Sequence, residues 1–363
     1  MKIALLTKYG DMAASTRQRF QQYNPFLTEA GFDLVPRPLL DDAYLRELYA
    51  GGGRHKASVT RRYIDRLHWL VSAPDVDILW LHCELFPYLP RLAERMARWP
   101  GKPIVFDYDD AIFHNYDRHP NWLIRAALGR KLHATLGGAE MAFCGNAYLA
   151  DYARPLCPRI EIVPTVVDAS VYRPHPDGRQ VDGPVRIGWI GTPSTWNEYL
   201  WPMLPLLSQV AAAGGGRVAA MGADRQAQPN PLLDLVEWSE QSEVPFLQGI
   251  DIGVMPLTDT PWSRGKCGYK LIQYMACGLP VIASPVGVNA EIVEHGVNGF
   301  LASSEAEWRD ALVTLLCDPD LRRRMGLEGR RKVEEHYSLQ VWGPKVARML
   351  RDVAERAKRG GNR

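Results

Sequence analysis

The residues best suited to chemistry in this 363-residue chain cluster between Asp251 and Gly299. An apolar, strand-like run ends near Pro256, a loop carries Arg264, Gly265, Lys266 and Gly268, and a helical pattern runs from Tyr269 to Gly278. A glycine loop that opens a helix presents backbone N–H groups and the positive end of the helix dipole, which together suit a phosphate. Lys266 and Lys270 fall about one helical turn apart and add two cationic donors. An isolated Lys-x-x-x-Lys pair is an ordinary solvated helix face. The neighbouring glycines and the strand-to-helix position favour a diphosphate site here.

Four other stretches hold polar groups at strand ends. In G-W-I-G-T-P-S-T, Gly191 permits close backbone approach, and Thr192, Ser194 and Thr195 supply hydroxyls to a ligand or to a helix cap at Ser194 or Thr195. After the first strand, K-Y-G-D-M-A-A-S-T-R-Q-R-F offers Ser15 or Thr16 as a cap and Arg17 and Arg19 for an anionic group. F-D-Y-D-D-A-I-F-H carries Asp107, Asp109 and Asp110, which could position an acceptor hydroxyl, bind a cation or cap a helix; His82 and Glu84 end another strand. Arg225 and Trp238 are weaker candidates near a phosphate and a base. The segment from Gly51 to Leu70, with Arg54 to Trp69 basic and aromatic-edged, is a solvated helix face or a rest for an anionic lipid surface.

Positioning these residues requires parallel sheets. Short apolar runs at Ile3–Leu6, Ile78–Leu81, Ile104–Phe106, Met141–Cys144 and Ile160–Val163 alternate with amphipathic segments, and the pattern restarts at Val185–Ile190, Val218–Met221, Ile250–Met255 and Val281–Ala283. Continuous apolar strands between helices mark doubly wound α/β sheets covered on both faces. The chain therefore reads as two Rossmann-like domains, 1–175 and 184–337, joined through the Pro/Gly/Asp-rich stretch from Tyr172 to Pro184. A terminal helix over 338–358 packs back toward the first domain, and the tail from Arg359 frays. Such sheets place ligands beyond their strands' carboxyl ends, so a cleft between the domains is expected to hold the site.

Composition limits the alternatives. With 43 basic against 41 acidic residues the net charge is +2, too balanced for a protein built around a nucleic-acid backbone. The six cysteines show neither C-x-x-C nor zinc spacing, as in a reducing cytosol. No run reaches the roughly 18 apolar residues of a membrane span. The expected location is cytoplasmic, with peripheral contact at the inner membrane face. No G-x-G-x-x-G follows the first strand, which disfavours a nicotinamide dehydrogenase.

The motif K-L-I-Q-Y-M-A-C-G-L-P-V-I-A-S-P-V-G-V-N, from Lys270 to Asn289, resembles the C-terminal signature of the family 4 glycosyltransferases, which have the GT-B fold. The likeness extends to V-N-G-F-L and, more loosely, to G-N-A-Y-L-A and I-V-P-T-V-V-D. It implies a nucleotide-diphosphate sugar on the second domain, a glycan or lipid-linked acceptor on the first, and retention of anomeric configuration with neither metal nor cofactor. By this resemblance Lys266 and Lys270 hold the diphosphate, and Gly191, Thr192, Ser194, Gly265, Gln273 and Asn289 surround the donor; in the acidic cluster the preferred role of Asp109 is to serve the acceptor. Arg17, Arg19, Asp107 and Asp110 meet the acceptor or a phosphate. The family's usual pair of glutamates is replaced by Gly265 and Gln273, leaving open a non-catalytic GT-B binding protein. Asp259, Thr260 or Ser263 could substitute as sugar ligands. An epimerase on the same fold would need acid/base groups that Gly265 does not supply.

Overall fold

A computed structural model of the chain describes residues 1–49, 56–175, 183–224 and 231–360. Arg54, Arg225, most of the expected linker and the last three residues of the tail lie outside them. Two compact units emerge, Met1–Thr165 with Gly265–Cys267 and the chain from Trp342 on, and Val166–Arg264 with Gly268–Val341.

The first unit is built on six strands: β1 (Lys2–Leu6), β2 (Asp33–Pro36), β3 (Ile78–His82), β4 (Ile104–Tyr108), β5 (Met141–Cys144) and β6 (Ile160–Ile162). They are all parallel, in the order β2-β1-β3-β4-β5-β6. β3, β4 and β5 are buried along their whole length, as continuous apolar strands between helical layers must be. The second unit repeats the design with β7 (Arg186–Ile190), β8 (Arg217–Met221), β9 (Leu233–Val236), β10 (Ile252–Met255), β11 (Val281–Ala283) and β12 (Gly299–Leu301), in the order β12-β11-β10-β7-β8-β9. Three strands lie outside the apolar runs read from the sequence: β2, β9 and β12. All three are sheet edges, where one side of the strand meets solvent and the hydrophobic signal weakens.

Two features hold these sheets in register with their helices. In the first unit Lys131, fully buried, reaches Glu84 at 2.9 Å, Glu94 at 3.2 Å and the Phe86 carbonyl at 2.5 Å. Glu94 also accepts from the Leu85 and Phe86 N–H groups and the Thr135 hydroxyl, so every buried charge there has partners. In the second unit the helix Pro319–His336 lies against Tyr269–Ala276 at glycines: a Cβ at Gly326 would come within 1.9 Å of the Gly278 carbonyl oxygen, and one at Gly329 within 2.9 Å of Met275. Ser304 caps the helix Glu305–Cys317 through a capping box with Glu307.

The basic helix differs from its sequence reading. It runs Lys56–Val71, but Arg66 points inward and donates to the carbonyls of Thr7, Arg37 and Leu85, while Arg62 pairs with Asp41 at 2.7 Å. Burial lowers the Arg66 guanidinium to about 9. Arg66 is thus removed from any lipid-facing set, leaving Arg61 exposed beside Ile64, Leu67 and Val71.

Filling the close approach at Gly326 tests this packing. Gly326→Ala should lower unfolding free energy by about 1–3 kcal/mol or more, because backbone on the facing turn cannot yield as a side chain would. Chemical denaturation measures it; an unchanged midpoint would show that the two helices are looser than described.

Candidate functional site

In the first sheet the strand order reverses between β1 and β3, where open α/β sheets take ligands. Asp107, on β4 beside this point, accepts from Arg19 Nε at 2.8 Å on Oδ1 and from Trp80 Nε1 at 3.1 Å on Oδ2, while Arg19 Nη2 lies 2.8 Å from Oδ1 as an ion pair without a hydrogen bond. Arg19 Nη1 donates to the Val163 carbonyl at 2.8 Å. Both side chains are 1% exposed, so Arg19 and Asp107, expected at an acceptor, are instead committed to each other. Burial pushes the Asp107 carboxyl above its ordinary range, and the Arg19 charge opposes that rise. Arg17 braces its own loop through the Asp11 and Met12 carbonyls. The helix Ala14–Arg19 starts after Ala13 without a side-chain cap, and the Thr16 hydroxyl turns back to the Tyr9 carbonyl.

Asp109 keeps an opening, with its side chain 16% exposed. Its Oδ1 lies 3.3 Å from His82 Nε2, and its backbone carbonyl accepts from Cys267 Sγ at 2.9 Å. Burial favours its neutral form, but the His82 hydrogen bond and charge, with Arg19 beyond, hold the carboxyl below its usual range. Asp110 is partly exposed beside it. The next helical turn, His114–Asp117, has Phe113 rather than either aspartate at its N-cap. Glu84 accepts from Tyr116 at 2.6 Å within the Lys131 cluster, which makes it a structural acid.

A residue that sequence reading passed over positions the glycine loop. Asn146 caps the helix Ala147–Ala153 through its Oδ1, and its Nδ2 donates to the carbonyls of Gly265 and Lys266, each at 3.0 Å. Its place in G-N-A-Y-L-A was the available signal. Gly265 has no room for a side chain, since a Cβ would come within 2.4 Å of Ala111 Cβ and 2.9 Å of Ala111 N. The missing acid at this position is therefore a steric requirement of the packing.

The second sheet reverses between β7 and β10. Gly191 follows β7 against the Trp189 ring, and Lys270 holds its ammonium 5.0 Å from that ring's centroid. Trp189 thus carries the cation on one face and supports the glycine turn with its edge. Thr192, not Ser194 or Thr195, is the N-cap; Thr195 returns the bond, and the Ser194 hydroxyl lies 3.0 Å from that of Thr192. The helix Tyr269–Ala276 begins after Gly268, at φ +65°, with neither a side-chain cap nor an acidic residue in its first turn. Asn289 is buried, donates to the Ser284 carbonyl, and leaves Oδ1 without a partner among the described residues, 3.5 Å from where a Gly268 Cβ would stand.

Gln273 is buried and donates to Glu243 Oε1 at 2.6 Å. Glu243 also accepts from the Tyr172 hydroxyl and from Trp238 Nε1. The carboxylate beside Gln273 thus comes from the helix Glu240–Gln248, which no local motif announced. Asp259 forms a two-pronged pair with Arg264, at 2.7 and 2.8 Å. Ser263 is buried between Thr260 and Tyr199. These bonds hold the loop together and leave Asp259, Thr260 and Ser263 poor substitutes as sugar ligands.

With this geometry in hand, the likeness to solved structures is decisive for the fold. Anabaena HepE in complex with UDP superposes with a TM-score of 0.70 over 97% of this chain and 100% of that one, at 15% identity. Sucrose-phosphate synthase from Thermosynechococcus elongatus gives 0.69 over 97% and 99%, also at 15% identity. The chain has the GT-B fold. Residues 204–318 match the family model Glycosyl transferases group 1. Relatives by sequence include the N-acetyl-alpha-D-glucosaminyl L-malate synthase of Bacillus anthracis, 32% identical over 95 residues, 26% of this chain and 25% of that protein. The D-inositol 3-phosphate glycosyltransferase of Nocardia farcinica is 40% identical over 73 residues, 20% of this chain and 16% of that protein. The aligned stretches span a quarter or less of these relatives. Among the described residues of this GT-B chain no helix is long and apolar enough to cross a membrane.

Two substitutions test the structural assignments. Asp107→Ala strands the buried Arg19 charge and should cost about 3–5 kcal/mol of stability in denaturant unfolding; a ligand-binding role would instead leave stability nearly unchanged. Gly265→Glu, which reinstates the acid usual in the resembled family, should destabilise the protein in thermal unfolding, since Ala111 occupies the space.

Proposed function

We propose that this GT-B chain is a retaining, metal-independent glycosyltransferase of the family 4 type. It would move a sugar, a hexosyl or related unit, from a nucleotide-diphosphate sugar to a glycan or lipid-linked acceptor, in cell-surface polysaccharide or glycoconjugate synthesis. One observation carries the reading: Lys266 precedes and Lys270 opens the helix Tyr269–Ala276, whose first turn holds no acidic residue and whose start at Gly268 has no side-chain cap. Cations there oppose the helix dipole, an arrangement an anion relieves. The complex of the Anabaena neighbour with UDP and glucose supports a nucleotide-sugar donor.

In this scheme the bond between the anomeric carbon and the diphosphate oxygen breaks as negative charge grows on the leaving group. Lys266, Lys270 and the helix start stabilise that charge, an effect that usually gives the largest catalytic term. The acceptor oxygen forms its new bond on the same face of the sugar, and its proton passes to the leaving phosphate. Asp109, oriented by His82 and partly open, positions the acceptor hydroxyl, with Asp110 beside it. Gly191, Thr192 and Ser194 border the donor, Gly265 presents backbone alone, and Gln273 with Glu243 forms a hydrogen-bonding pair for donor hydroxyls. Asn289 offers its unpaired Oδ1. The exposed face of the helix Lys56–Val71, with Arg61, Ile64 and Leu67, is where contact with an anionic membrane at the cytoplasmic side would fall.

A second reading rests on Gly265. Because its surroundings exclude an acid, a GT-B protein that binds nucleotide sugars without turning them over fits the same geometry. Thermal-shift screening against UDP, GDP, ADP, TDP and CDP and their sugars identifies the donor, and transfer assays then separate the readings: binding without transfer or donor hydrolysis favours the second. With the donor known, Lys266→Ala and Lys270→Ala should each cut kcat by about two orders of magnitude or more, as for loss of an oxyanion-stabilising donor, while leaving melting temperature within a few degrees. Near-normal turnover in both variants would reject the proposed role.

A further inference from the structure

His82, Cys83 and Asp109 meet at the carboxyl end of the first sheet, with their donor atoms all within 4.8 Å of one another. His82 Nε2 lies 3.3 Å from Asp109 Oδ1 and 3.3 Å from Cys83 Sγ. Neighbouring residues of a strand normally send their side chains to opposite faces. Here the backbone at Cys83 turns to φ +61°, a conformation unusual for a residue with a side chain, and its N–H is held by the Asp107 carbonyl at 2.8 Å. The turn swings Cys83 Sγ round to the ring nitrogen that also faces Asp109. Nothing in the sugar-transfer scheme calls for this thiol.

We propose that these three side chains form a binding site for a thiophilic divalent cation of the zinc type, with a fourth position open to water. Tetrahedral zinc, with nitrogen and oxygen ligands near 2.0–2.2 Å and sulfur near 2.3 Å, needs ligand atoms about 3.4–3.6 Å apart. The two distances from His82 Nε2 already lie close to that edge, so small side-chain rotations complete the set. One imidazole, one thiol and one carboxylate are ligand types that zinc takes together. The electrostatics favour a cation: the carboxylates of Asp109, Asp110, Glu84 and Asp107 all act on Cys83. Of the cations nearby, Arg19 is bonded to Asp107 and Lys131 to Glu84. On coordination the Cys83 S–H bond breaks, the sulfur keeps the electron pair as thiolate, and the proton passes to solvent.

Occupation would draw the Asp109 oxygen onto the metal and away from an acceptor hydroxyl, so the loaded protein would be inhibited. That consequence rests on the function proposed above; metal binding does not.

The probe is Co2+, added to protein freed of metal with a chelator. Wild type should take up one Co2+ per chain, show a thiolate-to-cobalt charge-transfer band, and lose it when Zn2+ is added. Cys83→Ser should abolish the band, as should Cys83→Ala, whereas Cys317→Ser, which alters the exposed cysteine, should retain it. His82→Asn and Asp109→Asn should weaken cobalt affinity at least tenfold. Circular dichroism of the metal-free variants establishes that they are folded, and the His82 and Asp109 variants keep the question answerable if the Cys83 variants are not. No band in folded wild type, or an undiminished band in folded Cys83→Ser, overturns the site. If transfer activity is found, Zn2+ should slow wild type at least tenfold and Cys83→Ser far less, each relative to its own metal-free rate. Bound cobalt without zinc inhibition would overturn the inhibitory consequence and leave the binding site standing.

Discussion

One buried carboxylate organises the first unit. Asp107 joins β4 to the helix Ala14–Arg19 through Arg19 and to β3 through Trp80, and Arg19 carries the connection on to the chain after β6 at Val163. Four segments distant in sequence are drawn together by charged groups that would be costly to bury singly and are tolerable because they pair with one another. His82 is two residues from Trp80 along β3, and Asp109 is two from Asp107 along the loop after β4. Fixing that knot therefore fixes the distance between the histidine and the aspartate that remains partly open.

The second unit is organised by glycines rather than by charge. Gly191 lets a turn settle on the Trp189 ring, Gly253 lets the Tyr274 ring lie on β10, and Gly268 adopts the left-handed conformation that opens the helix Tyr269–Ala276. Tyr274 ties these together, accepting from the Ile190 N–H and donating to the Val254 carbonyl across the reversal of strand order. This close packing leaves little side-chain volume around the helix start, so Lys270 is guided along the face of Trp189.

Much of this architecture was legible because it is periodic. The strands buried on both faces stood out as apolar runs, while β2, β9 and β12 were hidden by their edge positions. The glycine loop from Arg264 to Gly268 announced the helix that opens at Tyr269. Side chains whose partners lie far away in the chain were harder. Arg19 and Asp107, 88 residues apart, looked like two separate ligand-binding groups, and Glu243 gave no hint that it would stand beside Gln273. Arg66 belonged by spacing to a basic solvent face, yet its head group crosses into the sheet to meet three carbonyls.

By itself the sequence determined the class of fold, the positions of the central strands and the presence of a cationic, glycine-opened helix start, because each depends on residues near one another in the chain. Tertiary structure decided which charged groups face inward, why Gly265 admits no acid, and that a left-handed turn brings Cys83 to His82 and Asp109. Those outcomes depend on how space and hydrogen-bonding capacity are shared among segments scores of residues apart, and no local pattern records that sharing.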